Sequence, residues 1–182
     1  PARAAPGVPV IAEEEVAAGR IPAHDDTYFL VDPLDGTKEF VRGGDDYTVN
    51  IGLIEAGVPR LGVVFAPATG RLHGGVVGHA AWVDAGDGRR EIQTRSRGSQ
   101  VTAVASKSHL NQATIDYLEA AVGTCGYTSV GSSLKFCIVA EGEADIYPRA
   151  SPTSEWDTAA GHAVLLAAGG LVDGPDGTPL RY

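Results

Sequence analysis

The 182-residue sequence lacks a long hydrophobic run, since its longest uninterrupted apolar stretch covers only residues 163–168. A membrane-spanning helix needs roughly 20 such residues, so no transmembrane segment is predicted. Positive charge is also scarce, with 14 Lys and Arg against 23 Asp and Glu and a formal net charge of −9. The basic residues are scattered, whereas proteins that bind nucleic acid polymers usually gather them into one patch. We therefore expect no nucleic acid partner.

Sulfur-containing residues are rare as well. The two cysteines, Cys125 and Cys137, are isolated and form neither a disulfide framework nor a zinc knuckle, which favours a reducing, cytoplasmic location. The five histidines show none of the spacings of a zinc site. Methionine is absent, although an intact cytoplasmic reading frame begins with one. We therefore expect the sequence to be a piece of a longer chain.

The residues that are present predict a globular α/β protein. Apolar residues make up 43% of the chain, which is ample for a packed core, and the length favours one domain over residues 1–182. The first half predicts a strand at residues 27–31 that Asp32-Pro33 ends, a hairpin at residues 47–53 and 61–66, and a meander of strands up to residue 93. The second half predicts strands that alternate with helices, and a last helix over residues 156–168 with Thr153 or Ser154 as its N-cap.

The most distinctive local motif is Asp32-Pro33-Leu34-Asp35-Gly36-Thr37, which places two carboxylates directly after a predicted strand. The same D-x-x-D-G pattern recurs at residues 84–88 and 173–177, where it predicts turns, because Asp and Gly supply turn hydrogen bonds and positive φ. A calcium loop is excluded, since its twelfth position is Gly43 instead of a Glu. The first copy differs because Lys38-Glu39-Phe40 predicts a short helix just after it. Carboxylates beside free helix amides suit a phosphate that bridges a cation and the backbone.

Other candidate residues also have ordinary structural interpretations. Asp157 in a first helical turn is stabilised by the helix dipole, an effect of about 0.3–1 kcal/mol, and Glu13-Glu14-Glu15 fits a solvated face. Ser132-Ser133 fits a helix cap, and Lys135 and Arg149 fit surface positions. Taken singly, none of these residues establishes a site.

Taken together, the motifs resemble one family, the magnesium-dependent, lithium-sensitive phosphatases that include inositol monophosphatase and 3′(2′),5′-bisphosphate nucleotidase. Ile11-Ala12-Glu13-Glu14 resembles the family's acidic motif, residues 32–37 its D-P-[IL]-D-G-T signature, and Trp156-Asp157-Thr158-Ala159-Ala160-Gly161 its W-D motif. Three motifs in the right order between residues 9 and 170 are far more specific than any one of them. The resemblance implies an α+β fold, a layered α-β-α-β-α sandwich of the sugar-phosphatase type.

Within the family, several segments are more similar to the bisphosphate nucleotidase branch than to the inositol branch. These segments cover residues 37–40, 47–51, 131–137, 144–149 and 153–157. The implied reaction removes the 3′-phosphate of adenosine 3′,5′-bisphosphate and gives AMP and phosphate. The implied partner is thus a small phosphate ester, and a homodimer is left open.

The resemblance also assigns roles to individual residues. Two or three Mg²⁺ ions are implied, held by Glu13, Asp32, the Leu34 carbonyl, Asp35 and Asp157. Glu13, Thr37 and Asp35 are the implied catalytic residues, with Glu13 and Thr37 orienting the attacking water. The implied substrate contacts are Leu34, Asp35, Gly36, Thr37, His109, Ser132, Lys135, Arg149 and Asp157. Electrostatics support the assignment of these metal-binding roles, because clustered carboxylates repel one another and a phosphate unless divalent cations neutralise them.

One departure from the family pattern concerns its N-terminal region. The family has a helical region and a further metal-site Asp, in a T-x-A-D motif, ahead of the acidic motif, and this sequence has no match to either. We therefore expect that layer to lie outside the sequence, and the family's C-terminal end to be clipped after Leu180-Arg181-Tyr182. Three alternatives stay open: an inositol-1-monophosphatase or related sugar phosphatase, a metal-independent glycosidase with paired carboxylates, and a metal-stabilised domain without catalysis.

Overall fold

The computed structural model describes residue 1, residues 3–123 and residues 125–182. The elements in chain order are β1 Val10–Ala12, α1 Glu13–Ala17, β2 Thr27–Asp35, α2 Thr37–Val41, β3 Thr48–Glu55, β4 Val58–Ala66, β5 Arg71–Val76, β6 Ala80–Asp84, β7 Arg89–Ile92, β8 Thr102–Ser106, α3 Gln112–Val122, β9 Gly126–Val130, α4 Leu134–Ala140 and α5 Glu155–Ala167. Within these described residues, every helix is too short or too polar to cross a lipid bilayer.

Seven strands form one large sheet in the order β1-β2-β3-β4-β5-β6-β7. The β1–β2 pair is parallel, and each following pair is antiparallel. The predicted hairpin and meander are therefore confirmed. The β3–β4 turn has Ala56 at φ 52° and Gly57 at φ 74°, and two positive φ values are typical of the type I′ turn, whose twist matches that of the flanking strands.

The prediction that Asp32-Pro33 ends the second strand is wrong. β2 continues to Asp35, and its pairing with β3 shifts between Asp32, opposite Asn50, and Asp35, opposite Thr48. Between these two pairs β2 advances by three residues and β3 by two, so β2 has one extra residue, which is a β-bulge. Pro33 lies in this bulge, is exposed and has no partner in β3, so its missing N–H removes no ladder hydrogen bond. As a result, both carboxylates are held by the sheet instead of by a loop.

Helix α5 packs closely on one face of the large sheet. A Cβ at Gly62 would lie 2.1 Å from the Ala160 carbonyl oxygen, and one at Gly52 would lie 2.8 Å from the Ala159 Cβ. Glycine is therefore required at both positions for the helix to approach. The face of β3 that meets this helix carries Thr48, Asn50, Gly52 and Ile54, all buried, whereas the apolar residues between them are partly exposed.

The predicted alternation of strands and helices in the second half is confirmed. β8 and β9 pair in parallel with α3 between them in the chain, and the Val104 amide donates to the Ile146 carbonyl 2.9 Å away. α4 lies between this small sheet and α5, where Phe136 packs on Gly161. The last helix begins one residue earlier than predicted, with Ser154 as its N-cap. The fold is therefore α+β, with sheet and helix layers as expected.

Candidate active site

Three carboxylates from two distant parts of the chain meet at one point. Asp32 and Asp35 lie at the end of β2, and Asp157 lies in the first turn of α5. One oxygen from each carboxylate lies within 4.8 Å of the others. The bulge in β2 and the close contact of α5 with the sheet produce this arrangement, because they bring the strand end and the helix start together.

The environment of Asp32 is unfavourable for a negative charge. Its side chain is 1% exposed, and it accepts one hydrogen bond, from the Leu34 amide at 2.9 Å. Burial, with the charge of Asp35 as the next cause, raises the pKa of Asp32 to about 8. A divalent cation would remove this repulsion, and Mg²⁺ prefers oxygen donors of this kind. The donor set therefore fits a Mg²⁺ site.

Asp157 takes part in two arrangements. Its Oδ2 accepts hydrogen bonds from the Thr153 hydroxyl at 2.8 Å and from the Ser154 amide at 3.0 Å. The structural interpretation as a helix-capping residue is thus correct. The same carboxylate also belongs to the three-carboxylate cluster, so the cap orients a potential metal ligand.

Glu13 lies beside this cluster and outside the set of oxygens that meet within 4.8 Å. It is the first residue of α1, directly after β1, whose Ala12 pairs with Val31 and so brings Glu13 next to Asp32. Burial raises the pKa of Glu13, contact with Asp32 partly offsets this effect, and the charge of Asp157 adds to the rise. Glu13 therefore feels the field of the same carboxylates.

The turn after β2 arranges Leu34, Gly36 and Thr37. The Thr37 hydroxyl donates to the Leu34 carbonyl at 3.0 Å. Gly36 has φ 90°, and a Cβ there would lie 2.7 Å from the Asp46 carbonyl oxygen, so a side chain is excluded on both grounds. The first backbone hydrogen bond of α2 runs from the Glu39 amide to the Gly36 carbonyl at 2.9 Å. The amides of Gly36 and Thr37 precede this bond and have no acceptor within the helix.

A cavity of about 210 Å³ opens next to these groups. Apart from Leu34, every residue predicted from the sequence to contact substrate lies on its wall. These residues are Asp35, Gly36, Thr37, His109, Ser132, Lys135, Arg149 and Asp157. Glu13, Asp32 and Leu34 lie outside its lining. The cavity thus has carboxylates and basic side chains on one continuous wall.

The basic side chains of the cavity are held in different ways. Lys135 is 2% exposed and donates to the carbonyls of Ser132 and Val130. Burial lowers the pKa of Lys135 to about 8. The Arg149 guanidinium donates to the Pro152 carbonyl at 2.8 Å. His109 is exposed, and burial of part of its ring, with the charge of Arg149 next, lowers its pKa.

Ser132 has an unusual backbone and an unpaired hydroxyl. It is a non-glycine residue with φ 49°. Its Oγ is buried and finds no hydrogen-bond partner among the residues that the structure describes. A strained residue with a free polar atom on a cavity wall is typical of a ligand contact.

Sequence reasoning missed Asn50 and assigned Ser133 only to a helix cap. Both donate hydrogen bonds to Asp35, Asn50 at 3.2 Å and Ser133 at 2.7 Å. One feature of the sequence does point to Asn50: it alternates with apolar residues and shares a strand face with Gly52, the type of residue that a closely packed helix requires. No pattern in the sequence identifies Ser133, because its partners come from other elements.

Comparison with known proteins identifies the family. Residues 2–182 match the Inositol monophosphatase family. Proteins named 3′(2′),5′-bisphosphate nucleotidase CysQ from Salmonella typhimurium and Escherichia coli are each 46% identical to this chain, over 97% of it and 71% of their own length.

Solved structures agree with this match. CysQ from Bacteroides thetaiotaomicron, a bacterial member of the inositol monophosphatase family, has a TM-score of 0.82 and 39% identity, covering 97% of this chain and 72% of that one. Inositol monophosphatase from Anabaena (Nostoc) has a TM-score of 0.80 and 30% identity, covering 98% and 71%. The expected fold is thus confirmed, and the chain belongs to the inositol monophosphatase family.

Proposed function

We propose that the protein is a cytoplasmic, Mg²⁺-dependent 3′(2′),5′-bisphosphate nucleotidase, which releases the 3′-phosphate of adenosine 3′,5′-bisphosphate and leaves AMP. One observation carries this proposal: a single cavity wall holds the carboxylates of Asp35 and Asp157 together with the cations of Lys135 and Arg149. A substrate with two phosphates needs both kinds of group. The relatives that are 46% identical bear the name of this activity, and two free cysteines fit a reducing compartment.

The residues that would hold Mg²⁺ are Asp32, Asp35 and Asp157, whose oxygens already meet within 4.8 Å. Glu13 lies next to Asp32 across the β1–β2 pair, and Leu34 lies between Asp32 and Asp35 in the chain. The Glu13 carboxylate and the Leu34 carbonyl would complete a site for two or three ions. When bound, Mg²⁺ supplies positive charge that neutralises the carboxylates and stabilises the negative charge of the transferring phosphoryl group.

The chain's own groups orient the reactants. The Thr37 hydroxyl, fixed by the Leu34 carbonyl at 3.0 Å, and the Glu13 carboxylate orient the water that attacks phosphorus in line with the leaving 3′-oxygen. The amides of Gly36 and Thr37 donate to the phosphate oxygens, since they have no acceptor within α2. Asp35 is the residue that connects this phosphate position to the carboxylate cluster.

The second phosphate of the substrate lies away from the carboxylates in this proposal. Lys135 and Arg149 bind it, because a phosphate that is not hydrolysed needs cations and hydrogen-bond donors. The unpaired Ser132 hydroxyl donates to the nucleotide, and the exposed His109 contacts it from the mouth of the cavity. An inositol monophosphate has no group for these cations to bind.

The test compares phosphate release from adenosine 3′,5′-bisphosphate, inositol 1-phosphate and fructose 1,6-bisphosphate, with Mg²⁺ and with EDTA. We expect the nucleotide to have the highest kcat/KM, and EDTA to abolish turnover. Li⁺ should inhibit at a metal position, so additional nucleotide should not relieve the inhibition. A higher kcat/KM for inositol 1-phosphate would instead identify an inositol monophosphatase, and phosphate release that survives EDTA would overturn the metal dependence.

Variants separate the contribution of the cations from that of the carboxylates. Arg149→Ala and Lys135→Ala should each lower kcat/KM for the bisphosphate by about 10- to 150-fold, the equivalent of about 1.5–3 kcal/mol for a hydrogen bond to a charged group. Activity on a simple phosphomonoester should change little. The matched control is Arg60→Ala, which removes an exposed arginine that pairs with Glu55 at 3.0 Å near the β3–β4 turn. An equal loss on both substrates would show that the cations support the fold instead.

A further inference from the structure

One oxygen of Asp35 accepts hydrogen bonds from several side chains at once. The donors to Asp35 Oδ2 are the Ser133 hydroxyl at 2.7 Å, the Asn50 amide nitrogen at 3.2 Å and, at the limit of 3.5 Å, the Thr48 hydroxyl. They come from β3 and from the residue that precedes α4. The orientation of this carboxylate is thus set by two elements other than its own strand.

All of these donors are almost inaccessible to solvent. Thr48 and Asn50 are 0% exposed, and Ser133 is 2% exposed. Buried polar groups cost free energy unless they are hydrogen-bonded, so these donors have few alternatives to Asp35. The interactions are therefore part of a fixed arrangement and do not compete with water.

The amide of Asn50 shows which of its two ends is required. Its nitrogen donates both to Asp35 and to the Ser133 hydroxyl, the latter at 2.8 Å. Its oxygen is buried and has no partner among the described residues. A reversed amide would place this oxygen against the Asp35 carboxylate, which is repulsive. The side chain thus leaves its own acceptor unsatisfied while it supplies both donors.

Ser133 connects the two segments that carry the carboxylate cluster. Its hydroxyl oxygen accepts from Asn50 and lies 2.7 Å from Asp35 Oδ2 and 2.8 Å from the Asp157 main-chain oxygen. A hydroxyl has one proton, so it donates to one of these two acceptors at a time. Both acceptors belong to residues of the cluster, one at the end of β2 and one in the first turn of α5.

We propose that Asn50 and Ser133 are positioning residues for the metal site: they fix the Asp35 carboxylate and hold it in register with the start of α5. This inference rests on the proposed function, because it takes Asp35 and Asp157 as ligands of Mg²⁺. In this role neither residue is a metal ligand, and Ser133 in addition lines the cavity. Hydrogen bonds that orient a ligating carboxylate typically change metal affinity 10- to 100-fold when they are removed.

The experiment measures metal binding without turnover. Mn²⁺ is titrated calorimetrically into the metal-free wild-type protein, Ser133→Ala, Asn50→Leu and Ser133→Thr, and the Tm of each protein is measured in EDTA. We expect Ser133→Ala and Asn50→Leu to bind Mn²⁺ about 10- to 100-fold more weakly. Ser133→Thr keeps a hydroxyl and should bind more tightly than Ser133→Ala. The Mg²⁺ concentration for half-maximal nucleotidase activity should be higher in each variant that binds Mn²⁺ more weakly.

The matched control is Thr94→Ala, because the Thr94 hydroxyl contacts the opposite end of α5. The Thr94 hydroxyl donates to the Ala168 carbonyl, the residue after α5, at 3.2 Å. This variant removes a hydroxyl that bonds to the far end of α5, as the Ser133 hydroxyl bonds to its start, and should leave Mn²⁺ affinity unchanged. A purely structural role of Ser133 would lower the Tm in EDTA and leave the Mn²⁺ affinity of the folded protein at the wild-type value.

The outcomes separate this inference from the proposed function. Wild-type affinity for Mn²⁺ in both Ser133→Ala and Asn50→Leu would overturn the positioning role even if the wild-type enzyme hydrolyses the nucleotide. Absence of Mn²⁺ binding and of turnover in the wild-type protein would overturn the proposed function itself. If Asn50→Leu does not fold, Ser133→Ala decides alone, since it deletes one oxygen from the buried cluster.

Discussion

The chemistry of an aspartate in this protein depends on its surroundings more than on its motif. Asp35 and Asp176 occupy equivalent places in two copies of the pattern D-x-x-D-G-T. Asp176 is exposed and accepts from the amide and hydroxyl of Thr178 at 3.0 and 2.8 Å, as an ordinary turn residue does. Asp35 instead belongs to the three-carboxylate cluster. We expect Asp35→Asn to reduce kcat at least 100-fold, because it removes a ligand charge and preserves side-chain size.

The control for this variant is Asp176→Asn, which should retain wild-type kcat. Both proteins are assayed with the nucleotide at saturating Mg²⁺, and circular dichroism checks that both are folded. Wild-type activity in Asp35→Asn, or an equal loss in the two variants, would mean that the first copy of the motif is also only a turn.

If Lys135 binds the second phosphate as proposed, its titration gives the choice of substrate a pH dependence. Burial lowers the pKa of Lys135 to about 8, so the cation is present at neutral pH and is lost as the pH rises through this value. We expect the KM for adenosine 3′,5′-bisphosphate to increase between pH 7 and pH 9, while the KM of a simple phosphomonoester changes less. The ratio of the two KM values, measured at each pH, is the test.

Lys135→Met provides the reference for this profile. It carries no charge at any pH, so its KM ratio should be flat and should match that of the wild-type protein above the pKa of Lys135. A ratio in Lys135→Met that still rises with pH would assign the effect to another group, for example the substrate's own phosphates or His109.

At the scale of elements, the contact of α5 with β4 is the most sensitive to added volume. A Cβ at Gly62 would lie 2.1 Å from the Ala160 oxygen and 2.8 Å from the Ala163 Cβ, so helix and strand would have to separate. We expect Gly62→Ala to reduce the free energy of unfolding by about 1–3 kcal/mol. The matched control is Gly126→Ala in β9, where a Cβ meets no atom of the described residues within 4 Å. Equal melting temperatures of the two variants in thermal unfolding would contradict close helix packing at Gly62.

The elements that sequence patterns predicted correctly are those whose cause is local. The β3–β4 hairpin follows from alternation and a turn that tolerates positive φ, and α5 follows from its capping residue Ser154. The end of β2 was predicted wrongly because Pro33 normally excludes a strand, and the bulge that accommodates it depends on β3. The burial of the polar face of β3 could not be predicted from its own sequence, since it results from the packing of α5, which lies about 100 residues further along the chain.

The candidate site residues also divide into those that a local motif identifies and those that only the packing of distant elements brings together. Asp157 of the W-D motif lies in the first turn of the last helix, as the sequence predicts, because the capping signal is contiguous with the motif. Asn50 and Ser133 could not be assigned to Asp35, because the bonds that join them run over 15 and 98 residues of chain. Only the packing of β3 and α4 around the end of β2 brings these three side chains together.

The whole molecule has a net charge of −9, and part of this negative charge is concentrated in the three-carboxylate cluster. We expect the repulsion within this cluster to make the stability of the protein depend on pH. Burial, with the charge of Asp35, raises the pKa of Asp32 in the folded protein to about 8, whereas an unfolded Asp titrates near about 3.9. Between these values the folded state binds a proton that the unfolded state does not. The stabilisation that protonated Asp32 provides is complete below the pKa of the unfolded state and is lost as the pH rises through the pKa of the folded state. The free energy of unfolding then falls by at most about 1.4 kcal/mol per pH unit.

We therefore expect the Tm of the wild-type protein in EDTA to fall from pH 6.5 to pH 7.5, and the Tm of Asp32→Asn to change much less. The lower limit avoids His162, whose pKa burial lowers to about 4 and whose opposite effect ends near its ordinary value of 6.5. The upper limit stays below about 8, the value to which burial lowers the pKa of Lys135, because deprotonated Lys135 also has the opposite effect. Bound Mg²⁺ would neutralise the carboxylates, so we expect it to raise the wild-type Tm more at pH 7.5 than at pH 6.5. Differential scanning calorimetry at several pH values measures both effects. A wild-type Tm in EDTA that does not fall over this range, or that Asp32→Asn reproduces, would show that Asp32 does not bear the repulsion of the cluster.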